Sequence, residues 1–376
     1  MAGTGGFFRN IFLDSPIEQI PNLMQADTFS HTRTAEYYLY DWTPSLNLID
    51  VKQMDEQNYR DSSWLDSRIR SSGIKPFRYP FSKIESFFGE PPAKTAPLIF
   101  HIGHCGSTLL SRVLSASPNI LPLREPRPLR ALSQCFSELD HPARLHNREQ
   151  WDRVAKVLMH SYCRTFGEHQ TAQIKMSSFC NNLISPLIEN ELFDRALLLY
   201  QSLYSHLAST LGIDMPSSDL RSTAAPRMWE WMKIPGAPTL QVSEMSLSEL
   251  SVLNWLGSMY LLLGAQEQYP QHCKLHSFGS FLANPAGSVV DICEWFDMSS
   301  ECETLLANLE EETSRNSKLP GKEFSARDRQ EKHKKVHQKK QSEISHAMTW
   351  AAELCETVPA LSPCAEYFSD QESQGS

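Results

Sequence analysis

The sequence lacks several features that would place it in familiar classes of protein. Its net charge is −9 rather than positive, and proteins whose main partner is nucleic acid usually present a basic surface. Its nine cysteines include no C-x-x-C pair, and their odd number and wide scatter are typical of reduced thiols rather than of a disulfide framework or a zinc site. We therefore expect a cytoplasmic protein that binds neither nucleic acid nor a metal.

The sequence also has no apolar run long enough for a membrane helix. The longest, LSVLNWLGSMYLLLGA at 250–265, has about sixteen residues, is interrupted by Ser and Asn, and falls short of the roughly twenty that a membrane span requires. Ser246 and Glu249 have the spacing of a capping box and predict that a buried helix begins here. The apolar patch near the N-terminus contains Arg9 and is too short for a signal peptide, so we expect no export.

The pattern of apolar runs predicts an α/β fold. With 376 residues and 41 % hydrophobic content the chain can form one large domain or two. The prolines of FGEPPAKTAP predict a linker with a boundary near residue 94, after an N-terminal extension (1–94) of little periodicity. Short apolar runs then alternate with helical stretches, which is typical of a parallel sheet flanked by helices. The predicted strands are 97–102, 119–123, 172–176, 195–200 and 273–278.

Helical patterns dominate two further regions. One is a predicted helical insert at about 210–265, above the strand ends where ligands bind in parallel sheets. Its segment RMWEWMK places Trp229 and Trp231 either against an acceptor pocket or, as helix faces more often do, on the core. The other is a helical C-terminal segment (301–376), which ends in SDQESQGS, a predicted disordered tail. Within it, KHKKVHQKK is either a solvated helix face or a contact to an anionic surface.

The stretch FHIGHCGSTLLSRVL, at 100–114, is the clearest indication of a binding site. An apolar strand leads into a turn at Gly103 and Gly106, and a helix begins at about Ser107 with its first N–H groups unpaired. G-x-x-G-S-T lacks the lysine of the nucleotide-binding loop G-x-x-x-x-G-K-[ST], and no aspartate follows strand 172–176 to hold magnesium, which argues against a kinase. On the pattern alone, an ordinary strand-to-helix turn is equally compatible.

Four segments together suggest a family. GHCGSTLLSRVLSASPNILPLREP resembles the 5′-phosphosulfate-binding loop of the sulfotransferase family. AQIKMSS resembles the family's third strand with its lysine, RALLLYQSLYSHLAS its 3′-phosphate segment, and FGSFLANPAGSVVDICEWFDM its closing strand, turn and helix. The four cover about residues 97–297 in family order. The resemblance implies a P-loop-type domain over 95–300, with 3′-phosphoadenosine-5′-phosphosulfate as cofactor. It implies transfer of the sulfuryl group to a hydroxyl or amine of a small metabolite.

The resemblance also assigns roles to individual residues. Lys175 would supply positive charge near the leaving group and Glu125 would be the general base, since sulfuryl transfer needs both. The alternatives are a solvated lysine at a strand end and a Glu125–Arg124 salt bridge. In cytosolic members a histidine follows the strand lysine closely, whereas Ser177 stands here, which favours Glu125. His104 is the third candidate catalytic residue. The candidate cofactor-binding residues are Gly103, His104, Cys105, Gly106, Ser107, Thr108, Gln201, Ser209, Lys318 and Arg327.

Three more positions depart from the family's pattern. His104 stands where the family usually has lysine or arginine, and Gln201 where its 3′-phosphate segment has arginine, so both offer hydrogen bonds without a fixed charge. Cys105 replaces a serine and would have a lowered pKa if exposed. SRNSKLPGKEFSARDR, at 314–329, resembles the cofactor-covering loop and offers substitute charges, or is a solvated helix start. Its basic residues include Lys318, Lys322, Arg327 and Arg329.

These departures support an alternative function. A degenerate, non-catalytic nucleotide-binding or interaction protein of the same fold would tolerate the changes at His104 and Gln201. The sequence does not identify the acceptor, because the acceptor pockets of sulfotransferases are built from the most divergent segments of the chain, which are 1–94 and 210–245 here.

Overall fold

The computed structural model describes residues 35–66, 68–69, 75–212, 220–221, 223–314 and 326–369. The predicted disordered tail lies outside the described residues from residue 370 onward. Residues 34–376 cluster into one compact unit. The predicted domain boundaries near residues 94 and 300 stay predictions.

A five-stranded parallel sheet lies at the centre of this unit, in the order β5-β6-β4-β7-β8. Its strands are β4 Leu98–His101, β5 Ile120–Arg124, β6 Thr171–Lys175, β7 Ala196–Tyr200 and β8 Cys273–Ser277. They match the predicted strands to within one or two residues, so the predicted α/β class is confirmed. Every residue of β4 is buried, as expected of a central parallel strand covered on both faces.

Helices cover both faces of the sheet and build the insert and the C-terminal segment. Within the described residues they are α1 Glu56–Asp61, α2 Phe81–Phe88, α3 Ser107–Leu114, α4 Arg127–Ser137, α5 Arg148–Tyr162, α6 Ile184–Glu189, α7 Leu203–Leu211, α8 Ala224–Trp231, α9 Leu247–Gln268, α10 Phe278–Ala283, α11 Pro285–Trp295, α12 Cys302–Ala307, α13 Leu309–Ser314, α14 Ala326–Lys339 and α15 Gln341–Thr357. Short 3₁₀ turns occur at Asn181–Leu183, Ser299–Glu301 and Pro359–Tyr367.

The long helix α9 is the buried helix that the apolar stretch predicted. The Ser246 hydroxyl accepts the Glu249 N–H at 3.2 Å, and the Glu249 carboxylate accepts the Ser246 N–H at 2.7 Å, so the predicted capping box is present. None of the helices in the described part of the chain is both long and apolar enough to cross a membrane.

A small antiparallel sheet precedes the central one, in a region where the sequence showed little periodicity. It consists of β1 Tyr37–Thr43, β2 Leu48–Gln53 and β3 Phe77–Pro80, in that order. The register of β1 against β2 shifts between Leu39 and Asp41. Such a bulge breaks the alternation of inward and outward residues, which explains why no strand was predicted from YYLYDWT.

The carboxyl ends of the five parallel strands share one edge of the central sheet. The loop 102–106 follows β4, Glu125 follows β5, Lys175 ends β6, and Gln201 follows β7. Ligands of open parallel sheets bind outside these ends. The topology therefore brings residues that are up to about a hundred positions apart in sequence to one place.

Candidate active site

The loop 102–106 has an unusual backbone conformation. Gly103, His104 and Gly106 have φ values of 82°, 53° and 73°, a region that glycine adopts freely and that strains a histidine. A Cβ on Gly106 would lie 2.0 Å from the Phe278 ring, so this position requires glycine for two reasons. Helix α3 begins directly after the loop, and the N–H groups of its first turn have no acceptor within the helix.

His101, at the end of β4, holds the loop from behind. Its Nδ1 accepts the Gly103 N–H at 2.9 Å, and its Nε2 lies 3.0 Å from the Met176 carbonyl oxygen, to which it donates. The ring is therefore the neutral tautomer. Burial, and then the nearby charge of Lys175, lower the pKa of His101 well below its usual value of 6.5. Sequence reasoning missed this residue, although a polar residue inside the apolar strand LIFH is a signal that could have indicated it.

Of the side chains around the start of α3, those of Ser107 and Thr108 stand at the helix N-terminus and that of Cys105 packs in the core. Ser107 and Thr108 open the helix and are each 5 % exposed. Cys105 is fully buried, with its thiol 3.6 Å from the Leu199 carbonyl oxygen, and burial raises the pKa of that thiol to about 11. The lowered pKa considered for an exposed Cys105 therefore does not apply, and its side chain belongs to the core.

Lys175 and Glu125 form an ion pair beside this loop. The Lys175 ammonium donates to one Glu125 oxygen, and Arg130 donates to the other at 2.9 Å. The side chains of Lys175 and Glu125 are 1 % and 11 % exposed. Burial alone would raise the pKa of Glu125, but the charge and hydrogen bond of Lys175 and the charge of Arg130 outweigh it and hold that pKa at about 2.

The backbone at Glu125 is strained as well. Its φ is 56°, and its N–H donates to the Lys175 carbonyl oxygen at 2.7 Å. Left-handed conformations of residues other than glycine cost about 1–3 kcal/mol and cluster at functional sites. The strain therefore agrees with a functional position for this carboxylate.

Two alternative interpretations from the sequence are wrong. Lys175 is not a solvated lysine, because its side chain is enclosed. Arg124 is not the salt-bridge partner of Glu125. Its guanidinium instead donates to the carbonyl oxygens of Arg60 and Ser62, at 3.1 and 2.9 Å, and to the Ser115 hydroxyl. Arg124 therefore stabilises the packing behind β5.

Gln201 connects the loop to the C-terminal segment. Its amide nitrogen donates to the His104 carbonyl oxygen at 3.2 Å, and its amide oxygen accepts from the Arg329 guanidinium at 2.5 Å. Ser209 lies beside it, with its hydroxyl 3.1 Å from Nε2 of His333. The structure thus brings an arginine and a histidine of α14 to Gln201 and Ser209.

Two candidate cofactor-binding residues cannot be placed beside this cluster. Lys318 lies outside the described residues, as does Lys322, and Arg327 is described only through its backbone, as the second residue of α14. Their roles stay predictions. Of the basic residues in that stretch, Arg329 is the one whose contact with Gln201 is described.

A cavity of about 840 Å³ adjoins this cluster and is bounded by α7, α10, α14 and α15. Gln201, Arg329, His333 and Lys334 line it. The guanidinium of Arg329 also lies 5.1 Å from the centre of the Phe278 ring, which packs on the loop at Gly106. We call this cavity the α14 cavity. Arg329 in its wall contacts Phe278, and Phe278 contacts the loop, so the cavity is connected to the loop through these two side chains.

The two tryptophans of RMWEWMK have different environments. Trp231 is 1 % exposed and its indole donates to the Pro238 carbonyl oxygen at 3.0 Å, so it belongs to the core. Trp229 is 47 % exposed and lines a second cavity. Packing on the core, the more common of the two environments expected from the sequence, is therefore found for Trp231 and not for Trp229.

Comparisons with known proteins give a distant likeness only. No family model and no curated protein matches the chain. Among solved structures it is similar to a sulfotransferase from Alicyclobacillus acidocaldarius, at 12 % identity over 72 % of this chain and 96 % of that chain, with a TM-score of 0.33. It is also similar to the sulfotransferase domain of the Synechococcus PCC 7002 olefin synthase, at 15 % identity over 65 % and 95 % of the two chains, with a TM-score of 0.33. The residues of the site, rather than this likeness, therefore carry the functional conclusion.

Proposed function

We propose that the protein is a sulfotransferase that moves the sulfuryl group of 3′-phosphoadenosine-5′-phosphosulfate to a hydroxyl or amine of a small molecule. The observation that carries this proposal is the enclosed Lys175–Glu125 pair beside the start of α3. Sulfuryl transfer requires positive charge at the leaving phosphate and a base for the acceptor proton. A buried lysine and carboxylate next to a helix N-terminus provide both.

The side chains around the loop fit a ligand that has two separated anionic groups. The N-terminus of α3, with Ser107 and Thr108, is suited to the 5′-phosphate. Ser209, Arg329 and His333 are suited to the 3′-phosphate, and the α14 cavity of about 840 Å³ is within the usual range for small-molecule sites. When bound, the cofactor supplies a sulfuryl group attached to a phosphate that can leave.

Lys175 and Glu125 would act together in the transfer. Glu125 would take the proton of the acceptor as its oxygen or nitrogen bonds to sulfur, and Lys175 would stabilise the phosphate that leaves from sulfur. Paired with Lys175, a carboxylate with a pKa of about 2 is a weak base. Because Lys175 is the foremost of the charges that lower this pKa, a ligand anion that competes for Lys175 would make Glu125 more basic. Cofactor binding would thereby activate the base.

The same pair supports a second candidate function, a non-catalytic nucleotide-binding protein. Lys175 and Glu125 satisfy each other's charge within the interior, and the amide of Gln201 is already engaged at both ends. Neither group then needs a reacting ligand to be stable. The cytoplasmic location expected from the cysteines stays a prediction under either function.

Calorimetry with 3′-phosphoadenosine-5′-phosphate tests the proposal. The wild type should bind one molecule, and Arg329→Gln should weaken binding about tenfold or more, because it removes a charge-assisted hydrogen-bond donor. Arg153→Gln is the matched control, since Arg153 is exposed and pairs with Glu85. A folded wild type that does not bind would refute the sulfotransferase function and leave only a non-catalytic protein that binds another nucleotide or a partner. Binding without any turnover of the phosphosulfate would favour the non-catalytic function.

A further inference from the structure

A second cavity, of about 380 Å³, lies between α4, α8, α9 and the 3₁₀ turn Asn181–Leu183. We call it the α8–α9 cavity. Phe179, Leu253, Leu261 and the half-exposed Trp229 form much of its wall. A cavity of this size with apolar and aromatic walls can enclose a small organic molecule.

Two buried asparagines line this cavity, and each has an unused acceptor. Asn181 donates through Nδ2 to the His101 carbonyl oxygen at 3.2 Å, and Asn254 donates through Nδ2 to the Ile102 carbonyl oxygen at 3.4 Å. Because a carbonyl oxygen only accepts, these contacts determine which way each amide is turned. Within the described residues Oδ1 of each asparagine has no partner, although each residue is only 3 % exposed. Buried acceptors are rarely left unpaired, and a donor that reaches either oxygen would satisfy it.

The cavity lining carries equal numbers of opposite charges. Two are arginines, Arg130 and Arg227, and two are glutamates, Glu138 and Glu230. Both guanidinium groups lie over the Phe179 ring, at 5.5 and 4.6 Å from its centre. A charged ligand would lose its hydration here without meeting an excess of the opposite charge. The lining therefore favours an uncharged molecule.

The α8–α9 cavity adjoins both parts of the candidate active site. Arg130 lines the cavity and donates to Glu125 at 2.9 Å. Ser178 also lines it, and its hydroxyl oxygen lies 3.3 Å from where a Cβ of Gly103 would stand. A molecule in this cavity is thus next to the carboxylate and to the loop.

We propose that the α8–α9 cavity is the acceptor site, and that the acceptor is a small, uncharged, largely apolar molecule that carries a hydroxyl or N–H donor. Its description as an acceptor rests on the proposed sulfotransferase function. The binding of such a molecule is a separate property that can be measured without the cofactor.

Gly257 offers a way to fill the cavity without disturbing the fold. It lines the cavity from within α9, and a Cβ at this position meets nothing within 4 Å. Gly257→Phe should place a ring in the cavity, and phenylalanine is better suited than glycine to a helix interior. Gly264 is the matched control, because it lies two turns further along α9, is equally open, and is not part of the cavity lining.

The binding experiment uses 2-naphthol, naphthalene and 2-naphthoate, with affinities measured by ligand-observed NMR. We expect wild type and Gly264→Phe to bind 2-naphthol within about twofold of each other, and Gly257→Phe to bind it at least about tenfold more weakly. Naphthalene has no hydrogen-bond donor and should bind at least about fivefold more weakly than 2-naphthol. The charged 2-naphthoate should also bind more weakly than 2-naphthol. Absence of 2-naphthol binding in the wild type, or equal binding in Gly257→Phe, would overturn the proposal.

Calorimetry with 3′-phosphoadenosine-5′-phosphate on the same proteins separates the two proposals. The nucleotide should bind all three proteins within about twofold, because the α8–α9 and α14 cavities have no lining residue in common. Nucleotide binding without any effect of Gly257→Phe on 2-naphthol would reject the acceptor site and leave the proposed function standing. If Gly257→Phe weakens 2-naphthol binding but no protein binds the nucleotide, the sulfotransferase function is rejected, and the assignment of the cavity as an acceptor site with it. The cavity would then be only a small-molecule site.

Discussion

Glu125→Gln should destabilise the protein strongly at neutral pH. The substitution keeps the size of the side chain but leaves the enclosed Lys175 ammonium without its counter-charge. Removing one partner of a buried ion pair costs about 3–5 kcal/mol. The difference between the ordinary carboxyl pKa of 4.5 and the value of about 2 corresponds to about 3 kcal/mol of folding free energy. The two estimates agree, so we expect a loss of about 3 kcal/mol at pH 7.

The loss should depend on pH in a definite direction. The pKa of Glu125 is lower in the folded than in the unfolded protein, so its contribution is fully present above about pH 4.5 and disappears as the pH falls toward 2. The gap in free energy of unfolding between wild type and Glu125→Gln should therefore be constant from pH 7 to 5. It should narrow below about pH 4.5, where the carboxyl becomes protonated in the unfolded protein, and disappear near pH 2, where it is protonated in the folded protein as well.

Urea unfolding at several pH values measures this gap. Glu353→Gln is the control, because Glu353 is an exposed carboxylate of α15 and its loss should change stability by less than about 0.5 kcal/mol. If Glu125→Gln does not fold, Lys175→Met combined with Glu125→Leu replaces the pair by apolar groups and should recover most of the stability. A loss below about 1 kcal/mol at pH 7, or a gap that persists unchanged at pH 3, would refute the reasoning.

Three further outcomes test the loop and its surroundings. Gly106→Ala should lower the free energy of unfolding by more than about 2 kcal/mol, because it combines a positive φ with a Cβ only 2.0 Å from an aromatic ring. The control Gly264→Ala should raise the free energy of unfolding by about 0.5–1 kcal/mol. Equal effects of the two variants in urea unfolding would contradict this. Burial keeps His101 neutral when folded, so stability should fall as the pH drops below 6.5, and His101→Asn should make the free energy of unfolding decrease less steeply between pH 7 and 5. An unchanged slope would show that His101 does not contribute. Cys302 is the one half-buried thiol while the other eight cysteines are buried, so Ellman's reagent should react rapidly with Cys302 and not with Cys105, and a fast phase that survives Cys302→Ser would disprove this.

The central sheet could be predicted because its strands are short apolar runs separated by helical patterns. Each of the five runs is bounded by turn residues, and burial on both faces makes such a run continuous rather than alternating. The small N-terminal sheet could not be predicted, since the register shift between Leu39 and Asp41 interrupts the only pattern that would have marked β1. Tertiary pairing with β2 decided that segment.

The candidate site divides in the same way. The glycines of the loop, the lysine at the end of β6 and the glutamate after β5 follow from local sequence, because the carboxyl ends of parallel strands meet at one edge. The roles assigned to them stay predictions until the binding and turnover measurements are made. The local sequence did not determine the environment of each side chain. Cys105 is an example, because its position in the loop suggested a reactive thiol, whereas its burial against β7 raises the pKa of that thiol.

By itself, the sequence determined the strand–helix order, the glycine positions that permit a left-handed loop, and the presence of a lysine and a glutamate at the ends of two predicted strands. Only the tertiary structure decided that those two charges pair inside the protein, and that an arginine 128 positions after Gln201 meets it. It also decided that the unused oxygens of Asn181 and Asn254 belong to residues that line one cavity. The physical reason is that backbone preferences act over a few neighbouring residues. Charge pairing and cavity walls depend instead on distances between segments that chain folding alone brings together.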